Sequence, residues 1–205
     1  MSDKQKWDER YGQNDLPWDT GRPDIRLDGL LSRWPKFSGR VLEVGCGTGS
    51  SAIRLAEHGF QVTALDIAPR AVEIARQRSA EKGAECTFLA ADFLSCSLEK
   101  GQFTLVFDRG CFHSMSEEQR PGFVSRVAVC LEPGGIWLSI IGNRDQILNE
   151  QGPPRLSAAQ ICMAVEPEFE ILHLESFMAD AANRPVQLRF WQCLMRLRNQ
   201  GSARG

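Results

Sequence analysis

The chain has 205 residues and a formal net charge of −2, with 24 basic and 26 acidic side chains. This length favours one well-buried domain over two. The balanced charge excludes the strongly basic surface with which proteins bind nucleic acid or anionic membranes.

The first 39 residues precede the first predicted strand, yet they are rich in tryptophan. The segment LPWDTGRPD (16–24) contains Trp18, and Trp7 and Tyr11 lie four residues apart, the spacing of neighbours on one helix face. Exposing a tryptophan leaves a large apolar surface in water. We therefore expect this segment to cover part of the protein. The opening MSDKQKWDER lacks the apolar core of a secretion signal, and no apolar run approaches the length of a membrane span.

From residue 40, short apolar runs alternate with helical patterns. Strands are predicted at 40–44, 61–65, 86–90, 103–107 and 136–141, and helices at 50–60, 69–83 and 117–131. Ser50 and Ser51 are expected to cap the first helix, Pro69 to begin the second and Gly83 to end it. Pro121 leaves the start of the third open. This alternation predicts a parallel sheet covered on both faces.

The pattern changes after residue 141. The segment EPGG (132–135) predicts a tight turn before the last of these strands. A polar loop follows at 142–155, and then a short helix at 156–165, for which Ser157 is a suitable cap. Two alternating segments, 169–177 and 185–197, flank ADAANR and predict a hairpin. The sheet should therefore end with antiparallel pairing. Nothing in the sequence suggests a repeat or a linker, so we expect a single domain.

The seven cysteines include no C-x-x-C pair. A disulfide framework or a zinc site would need closer, paired spacing, so buried free thiols in a reducing compartment are the better interpretation. We expect a cytoplasmic protein with no bound metal.

A glycine-rich loop joins the first strand to the first helix of the alternating region. LEVGCGTGSS places Gly45, Gly47 and Gly49 where the backbone can approach a ligand closely. The dinucleotide fingerprint requires its third glycine at position 50, which is Ser50 here. Asp66 ends the second strand, where a carboxylate can accept both ribose hydroxyls. The pattern predicts a bound nucleoside without a diphosphate.

These segments resemble a known family. VLEVGCGTG, ALDIAP, AADF, FDRG and LEPGG, at these intervals, are similar to the motifs of class I S-adenosylmethionine-dependent methyltransferases. The resemblance extends over nearly the whole chain from residue 40. It implies an α/β, Rossmann-like, doubly wound sheet of seven mostly parallel strands with the last strand antiparallel. Residues 1–39 would form a lid over cofactor and substrate, and 40–205 the core with its C-terminal hairpin.

The resemblance also implies cofactor-binding roles for the positions that match the motifs. The methionine side of S-adenosylmethionine would be lined by Glu43, Gly45, Cys46, Gly47 and Thr48. The adenosine side would be held by Asp66 at the ribose, Ile67 on the adenine, and Asp92 with Phe93 at the adenine edge and face. Asp108, Arg109 and Gly110 would form the loop beside the reacting sulfur. Trp18 of the lid would lie against the methionine part, where an aromatic face attracts a sulfonium. Alternatively, Trp7 and Trp18 simply dock an N-terminal helix on the sheet.

Finer features indicate the acceptor. FDRGCFHSM, QGPPRLS and the tryptophan-rich N-terminus are similar to thiopurine S-methyltransferase and the related thiol, halide and tellurite-resistance methyltransferases. A small-molecule acceptor with a polarisable sulfur, selenium or tellurium atom is implied, although the glycine loop departs from the thiopurine enzymes. Arg109 would hold an anionic acceptor or favour a thiolate, or else pair with Asp108 or a glutamate to shape its loop. His113 would remove a proton, or serve as a structural hydrogen-bonding group.

Other functions remain open on the sequence alone. A methyltransferase acting on a small oxygen or nitrogen acceptor, and a cofactor-binding protein without catalysis, fit the same motifs. A nicotinamide oxidoreductase shares the strand–glycine loop–helix start but not Ser50, LEPGG or DRG. A nucleic-acid methylase would carry a polar residue, two prolines and an aromatic residue where this chain has DRGC. We expect no nucleic-acid or membrane partner, and either a monomer or a homodimer.

Overall fold

The computed structural model describes residues 2–33, 39–146, 154–180 and 187–199. Their seven strands form one sheet in the order β3-β2-β1-β4-β5-β7-β6. The strands are β1 (Arg40–Val44), β2 (Gln61–Asp66), β3 (Cys86–Ala90), β4 (Phe103–Arg109), β5 (Leu131–Gly142), β6 (Phe169–Asp180) and β7 (Gln187–Leu197). Strands β1 to β5 pair in parallel, whereas β7 is antiparallel to both β5 and β6. The expected doubly wound α/β fold is confirmed.

Helices cover both faces of the sheet. They are α1 (Asp3–Gly12), α2 (Ile25–Arg33), α3 (Ser50–Glu57), α4 (Pro69–Lys82), α5 (Arg120–Cys130) and α6 (Ala158–Val165). Leu30 of α2, Leu55 of α3 and Val72 of α4 are buried in one core cluster. Phe123 of α5 and Ile161 of α6 are buried in another. No helix among the described residues combines the length and apolar character that crossing a membrane requires.

Several helix boundaries follow the local sequence signals. Pro69 opens α4, and Gly83 ends it in the left-handed conformation with φ of 64°. Ser157 caps α6 through a reciprocal pair of hydrogen bonds with Gln160. Both signals act through the backbone. Proline lacks an N–H, which a residue in the first turn does not need, and the serine hydroxyl accepts from a helical N–H that has no partner within the helix.

One predicted helix cap was wrong, and the structure defines one helix start that the sequence left open. The residue that caps α3 is Gly49, with φ of 84° and no side-chain hydrogen bond, while Ser50 is already helical. The glycine loop enters the helix through left-handed backbone, so the serines fall one residue too late to cap it. Helix α5 begins at Arg120 rather than Glu117, because Ser116 and Gln119 close a separate turn just before it.

The EPGG segment is a bulge rather than a turn before the strand. Strand β5 starts at Leu131, which pairs with Phe103, and the next pair is Leu105 with Ile136. The extra residues on β5 are accommodated where Gly134 has φ of 74°, in the left-handed region that glycine adopts at little cost. The predicted strand is therefore correct but begins five residues earlier.

The C-terminal hairpin is confirmed by the pairing of β6 with β7 along their length. Three predicted features fall on residues outside the description: part of the polar loop (147–153), the hairpin tip (181–186) and the end of the proposed lid (34–38).

The N-terminal segment folds onto the core through two helices. Helix α1 packs along α4, and its Tyr11 is buried with Ala68 and Ala71. Helix α2, which the sequence patterns did not predict, buries Leu27 and Leu31 in the core. This segment is therefore packed structure, and between its two helices lies the stretch that meets the glycine loop.

Candidate functional site

The glycine loop at the carboxyl end of β1 is held in a left-handed conformation. Gly45, Gly47 and Gly49 have φ values of 72°, 53° and 84°. The N–H groups of Gly45 and Cys46 both donate to the Leu65 carbonyl, at 2.8 and 2.9 Å. Residues with a Cβ pay roughly 1–2 kcal/mol to adopt such a conformation. The loop thus requires its glycines and is fastened to the neighbouring strand β2.

Asp66, the last residue of β2, organises this crevice. Its Oδ2 accepts from the Gly47 N–H at 2.9 Å and its Oδ1 from the Ala68 N–H at 2.9 Å. The side chain is buried, and burial raises its pKa although the backbone donors act in the opposite direction. Each carboxylate oxygen has more than one lone pair. Asp66 can therefore hold the loop and still accept from ribose hydroxyls, as its predicted role requires.

Glu43, in the middle of the same crevice, is a buried acid with an unsatisfied atom. Its Oε2 has no hydrogen-bond partner among the described residues. Burial raises the pKa of Glu43 to about 8, with further contributions from the nearby Asp66 and Asp108. The Ala52 N–H donates to the Glu43 carboxyl group and acts in the opposite direction, but a buried acid oxygen without a partner is costly unless something pairs with it. Glu43 therefore suits a ligand with a positive charge.

The N-terminal segment reaches directly over the glycine loop. A Cβ on Gly47 would lie 2.9 Å from the Tyr11 hydroxyl, so Tyr11 is in close contact with the loop. Trp18 packs edge-on against both Trp7 and Tyr11, with ring centroids 5.4 and 6.1 Å apart. One further neighbour of the Trp18 ring is the Arg10 guanidinium, 4.2 Å from its centroid. The aromatic cluster therefore covers the loop mainly through Tyr11.

Polar contacts fasten this cover to the loop. The Thr48 hydroxyl donates to Asp19 at 2.9 Å, and Arg78 of α4 donates to both Thr48 and Asp19. At the start of α4, Asp8 accepts from the Arg70 N–H at 2.9 Å. The predicted cofactor residue Thr48 is thus also the point at which the cover attaches to the loop.

Arg109, at the end of β4, attaches the same segment on its other side. Its Nε donates to Asp24 at 2.8 Å and its Nη1 to the Trp18 carbonyl at 3.1 Å. Asp24 also caps α2 by accepting from the Arg26 N–H. The partner of Arg109 is therefore Asp24, rather than Asp108 or a glutamate. A role for Arg109 at the acceptor stays a prediction.

Asp108 precedes Arg109 and lies beneath the loop rather than on its surface. It is fully buried, and it accepts from the Phe112 N–H and from the Trp137 indole N–H, each at 2.9 Å. Burial raises the pKa of Asp108 to about 6, against the effect of these donors. Asp108 is placed to shape the turn that follows β4. Next to it, Gly110 has φ of 88°, and Cys111 contacts the point where a Cβ on Gly45 would lie.

His113 is buried behind this turn. Its Nδ1 accepts from the Gly142 N–H at 2.9 Å, which requires the ring proton of the neutral form to be on Nε2. Burial lowers the pKa of His113 to about 4, and Arg109, Arg120 and Arg155 lower it further. The ring is therefore neutral at physiological pH and presents a donor.

The remaining predicted residues lie in different environments. Ile67 is half-buried after β2, and Asp92 is exposed and accepts from the Leu94 N–H. Phe93 points into the core, with its ring 4.9 Å from that of Phe123. Cys46 is buried in the glycine loop, and burial raises the pKa of its thiol. The structure thus gathers the residues of β1, β2 and β4 in one crevice, while it buries the Phe93 ring away from the surface.

The sequence motifs did not identify Asp24 or the part played by Tyr11. Asp24 is separated by 85 positions from its partner Arg109. The only local signal was its place before a helix that the patterns did not reveal. Tyr11 was noted for its spacing from Trp7, but nothing in the sequence indicated that it lies on Gly47.

Comparison with known proteins shows which proteins this chain is similar to. Residues 41–135 match the family model described as "Methyltransferase domain". A 2-heptyl-1-hydroxyquinolin-4(1H)-one methyltransferase of Mycobacteroides abscessus is 33% identical over 126 residues, which make up 61% of this chain and 55% of that protein. A probable thiol methyltransferase of Arabidopsis thaliana is 29% identical over 72% of this chain and 65% of its own length. The chain thus spans less than two thirds of either relative.

Two further comparisons cover more of the related chain. An uncharacterised methyltransferase of Schizosaccharomyces pombe is 30% identical over 127 residues, 60% of this chain and 88% of that protein. Among solved structures, the N-methyltransferase NodS from Bradyrhizobium japonicum has a TM-score of 0.75 at 20% identity, covering 96% of this chain and 99% of that one. At this identity the structural likeness shows a common fold.

Proposed function

Because the chain belongs to the class I S-adenosylmethionine-dependent methyltransferases, we propose that it transfers a methyl group from S-adenosylmethionine to a small-molecule acceptor. The acceptor atom we propose is a thiol sulfur or another polarisable sulfur, selenium or tellurium nucleophile. The cofactor supplies a methyl group already activated on a sulfonium. The protein's own task is to hold the two reactants in line, for which positioning alone contributes roughly 7–11 kcal/mol at best.

The observation that carries this proposal is the pair of buried acids on either side of the glycine loop. Glu43 has a buried, unpaired oxygen, and Asp66 fastens the loop with acceptor capacity to spare. Together they suit a ligand that has positive charge at one end and ribose hydroxyls at the other. A dinucleotide, which brings a negative diphosphate, is a poor match for a crevice lined by two acids.

The acceptor class is supported by one relative and by the acceptor side of the site. The Arabidopsis relative is named as a probable thiol methyltransferase. On the acceptor side, Arg109 and His113 lie at the end of β4, where the site offers a cation and a hydrogen-bond donor. A soft nucleophile of low basicity requires no strong base. This fits a site in which the His113 ring is neutral and offers an N–H as a hydrogen-bond donor.

The function can be tested in two steps. Thermal unfolding should shift upward with S-adenosylhomocysteine and not with NADH; the reverse pattern would exclude a methyltransferase. Small thiols, selenite, tellurite, halides, a hydroxyquinolone and heterocyclic amines should then be screened with S-adenosylmethionine by release of homocysteine after hydrolysis of the product. Turnover restricted to the oxygen or nitrogen acceptors would contradict the proposed acceptor class.

Removing residues 1–20 should weaken cofactor binding by more than tenfold. This truncation deletes Tyr11, Trp18 and Asp19, which cover the glycine loop, but it keeps Asp24 as the cap of α2. The deletion removes the packing of Tyr11 on Ala68 and Ala71, but the two large core clusters contain none of the lost residues. The melting temperature of the ligand-free protein should therefore fall by only a few degrees. Calorimetric titration with S-adenosylhomocysteine measures the first effect. Unchanged affinity would show that the segment is not a cofactor cover.

Binding of S-adenosylmethionine at pH 7 should release a proton from Glu43. In the ligand-free protein the pKa of Glu43 is about 8, so the group is protonated. A positive charge placed beside it favours the carboxylate and lowers this pKa. Because the bound form holds fewer protons, affinity should rise with pH and level off above about pH 8. Calorimetric titrations in buffers of different ionisation enthalpy give the number of protons released on binding. The Glu43→Gln variant should lack the proton that Glu43 releases in the wild type. Equal release by this variant would assign the proton to another group.

A further inference from the structure

We propose that the acceptor binds as an anion between His113 and Arg155, at the carboxyl ends of β4 and β5, and that His113 donates a hydrogen bond to it instead of removing its proton. This inference rests on the proposed methyl transfer and names the charge state of the acceptor. It assigns a role to Arg155, which lies within the segment QGPPRLS but was given no role of its own there.

The first support is the hydrogen bond that fixes the His113 ring. The donor to Nδ1 is a backbone N–H, that of Gly142, so Nδ1 must be unprotonated. The N–H on the opposite side of the ring is the proton that the neutral ring carries. To accept a proton at Nε2, the ring would first have to carry its own proton on Nδ1, where it would oppose the Gly142 N–H, and it would then become a buried cation close to three arginines. The geometry therefore permits donation and opposes proton removal.

The second support is the place where His113 and Arg155 meet. The point at which a Cβ on Gly142 would lie is 3.2 Å from Arg155 Cγ and 3.6 Å from His113 Cε1. The corresponding point on Gly110, at the end of β4, is 3.7 Å from the same His113 atom. The absence of a Cβ at these two glycines thus lets the imidazole lie close against the ends of adjacent strands, and at Gly142 it brings the Arg155 side chain beside the imidazole.

The third support is the balance of charge around His113. Three cations face it: Arg109 from β4, Arg120 from α5 and Arg155 from the segment before α6. Arg109 is paired with Asp24, and the exposed Glu118 is close to Arg120. Arg155 donates to the Gln146 carbonyl, and among the described residues no carboxylate pairs with it. In the part of the chain that the structure describes, neither Arg120 nor Arg155 forms an ion pair, and Arg120 Nε is buried without a partner. Of these two cations, Arg155 is the one that also lies beside the imidazole at Gly142.

The chemistry follows from this arrangement. A thiol acceptor gives up its proton to bulk water on binding, so it enters the site as a thiolate. An electron pair on the thiolate sulfur forms the new bond to the methyl carbon, while the pair of the breaking sulfonium–carbon bond returns to the donor sulfur. No proton has to leave during the transfer, so no base is required. The arginine and the imidazole N–H stabilise the thiolate and lower the apparent pKa of the bound thiol.

The pH dependence of kcat/KM across a series of thiols separates this inference from base catalysis. We expect the midpoint of the rising limb to follow the pKa of each free thiol, so that thiols two units apart give profiles about two units apart. A common midpoint for all thiols would assign the limb to a group of the enzyme and overturn the inference.

Two substitutions test the roles of the two ring nitrogens of His113 separately. Asn can retain an acceptor for the Gly142 N–H, whereas Gln can retain a donor near the position of Nε2. We expect His113→Gln to keep acceptor KM within about threefold of wild type and His113→Asn to raise it more than tenfold. Neither variant should change the midpoint pH for the most acidic thiol. A His113→Gln variant that folds, binds S-adenosylhomocysteine normally and has lost kcat by several orders of magnitude would point to a base.

Arg155 is tested by direct anion binding, which does not depend on turnover. Thiocyanate should bind the wild-type protein in the presence of S-adenosylhomocysteine, and Arg155→Gln should weaken that binding at least tenfold while leaving the affinity for S-adenosylhomocysteine unchanged. Arg144→Gln, which removes an exposed cation close in sequence, is the matched control and should bind thiocyanate as the wild type does.

The outcomes distinguish the inference from the proposed function. Thiocyanate binding that is equally strong in wild type and Arg155→Gln overturns the anion site, whatever the activity. A protein that binds thiocyanate through Arg155 but methylates no acceptor retains the anion site and loses the proposed function.

Discussion

Replacing Asp66 with alanine is expected to weaken binding of S-adenosylhomocysteine by at least a hundredfold. The substitution removes the acceptor proposed for the ribose hydroxyls and also the bond from the Gly47 N–H that holds the glycine loop. Hydrogen bonds to a charged group contribute roughly 1.5–3 kcal/mol each, so the loss of two such bonds corresponds to about two orders of magnitude or more in affinity.

The stability of the ligand-free protein should change much less. Burying the Asp66 carboxylate is unfavourable, as its raised pKa indicates, and the bonds from Gly47 and Ala68 only offset that cost. Glu85→Ala serves as the control, because it removes an exposed carboxylate just before β3, at the opposite end of that strand from the crevice. Calorimetric titration and thermal unfolding measure the two quantities. If Asp66→Ala bound within fivefold of wild type, the ribose site would have to lie elsewhere.

Replacing Trp137 with alanine should lower the free energy of unfolding by about 3–5 kcal/mol, the range for a large aromatic side chain deleted from a core. Trp137 is fully buried, and its ring lies 5.3 Å from those of both Phe112 and Phe169. The indole N–H also donates to Asp108, so the variant leaves a buried acceptor with one donor fewer. Urea unfolding followed by circular dichroism gives the measurement.

The two parts of this effect can be separated with Trp137→Phe. Phenylalanine retains a ring for the packing but not the donor, so the expected loss is about 1–3 kcal/mol, the cost of leaving a buried polar group unpaired. The pKa of Asp108, already about 6 in the wild type, should rise further. Because the raised folded-state pKa favours the protonated acid, the stability of the variant should fall more steeply than that of wild type as pH increases from about 4 through 6. Equal losses for the two variants would assign the effect to the lost hydrogen bond alone, and no loss for Trp137→Phe would assign it to packing.

The strand–helix order was predictable because the apolar runs are compact and bounded by strong local signals. Pro69 and Gly83 define α4 through backbone restrictions that act within a few residues. The same local logic failed at EPGG, since proline and glycine that predict a turn also permit a bulge. Only the pairing of Leu131 with Phe103 distinguishes the two. Helix α2 was missed for a related reason, because the burial of its leucines depends on the core against which they pack.

The candidate site likewise has some features that the sequence predicts and others that depend on the folded structure. Gly45, Gly47 and Asp66 follow consecutive strands of a parallel sheet, so their order in the chain places them at one edge. The partner of Arg109, in contrast, depends on how a segment 85 residues away folds back. The tautomer of His113 depends on a backbone N–H at Gly142, to which the sequence gives no access.

Among the described residues, four of the five ion pairs that attach the N-terminal segment have the same polarity, and Arg26 with Glu175 is the reverse. Asp8, Asp19, Asp24 and Asp28 lie on the segment, and their partners Arg70, Arg78, Arg109 and Arg54 lie on the core. Partly exposed pairs of this kind contribute about 0–1 kcal/mol each and are screened by salt. The segment thus presents mainly acidic side chains to a mainly basic surface of the core, and several weak ion pairs act there in parallel. Such an attachment can open for exchange of product for fresh cofactor without unfolding the sheet, and its opening rate should increase with ionic strength.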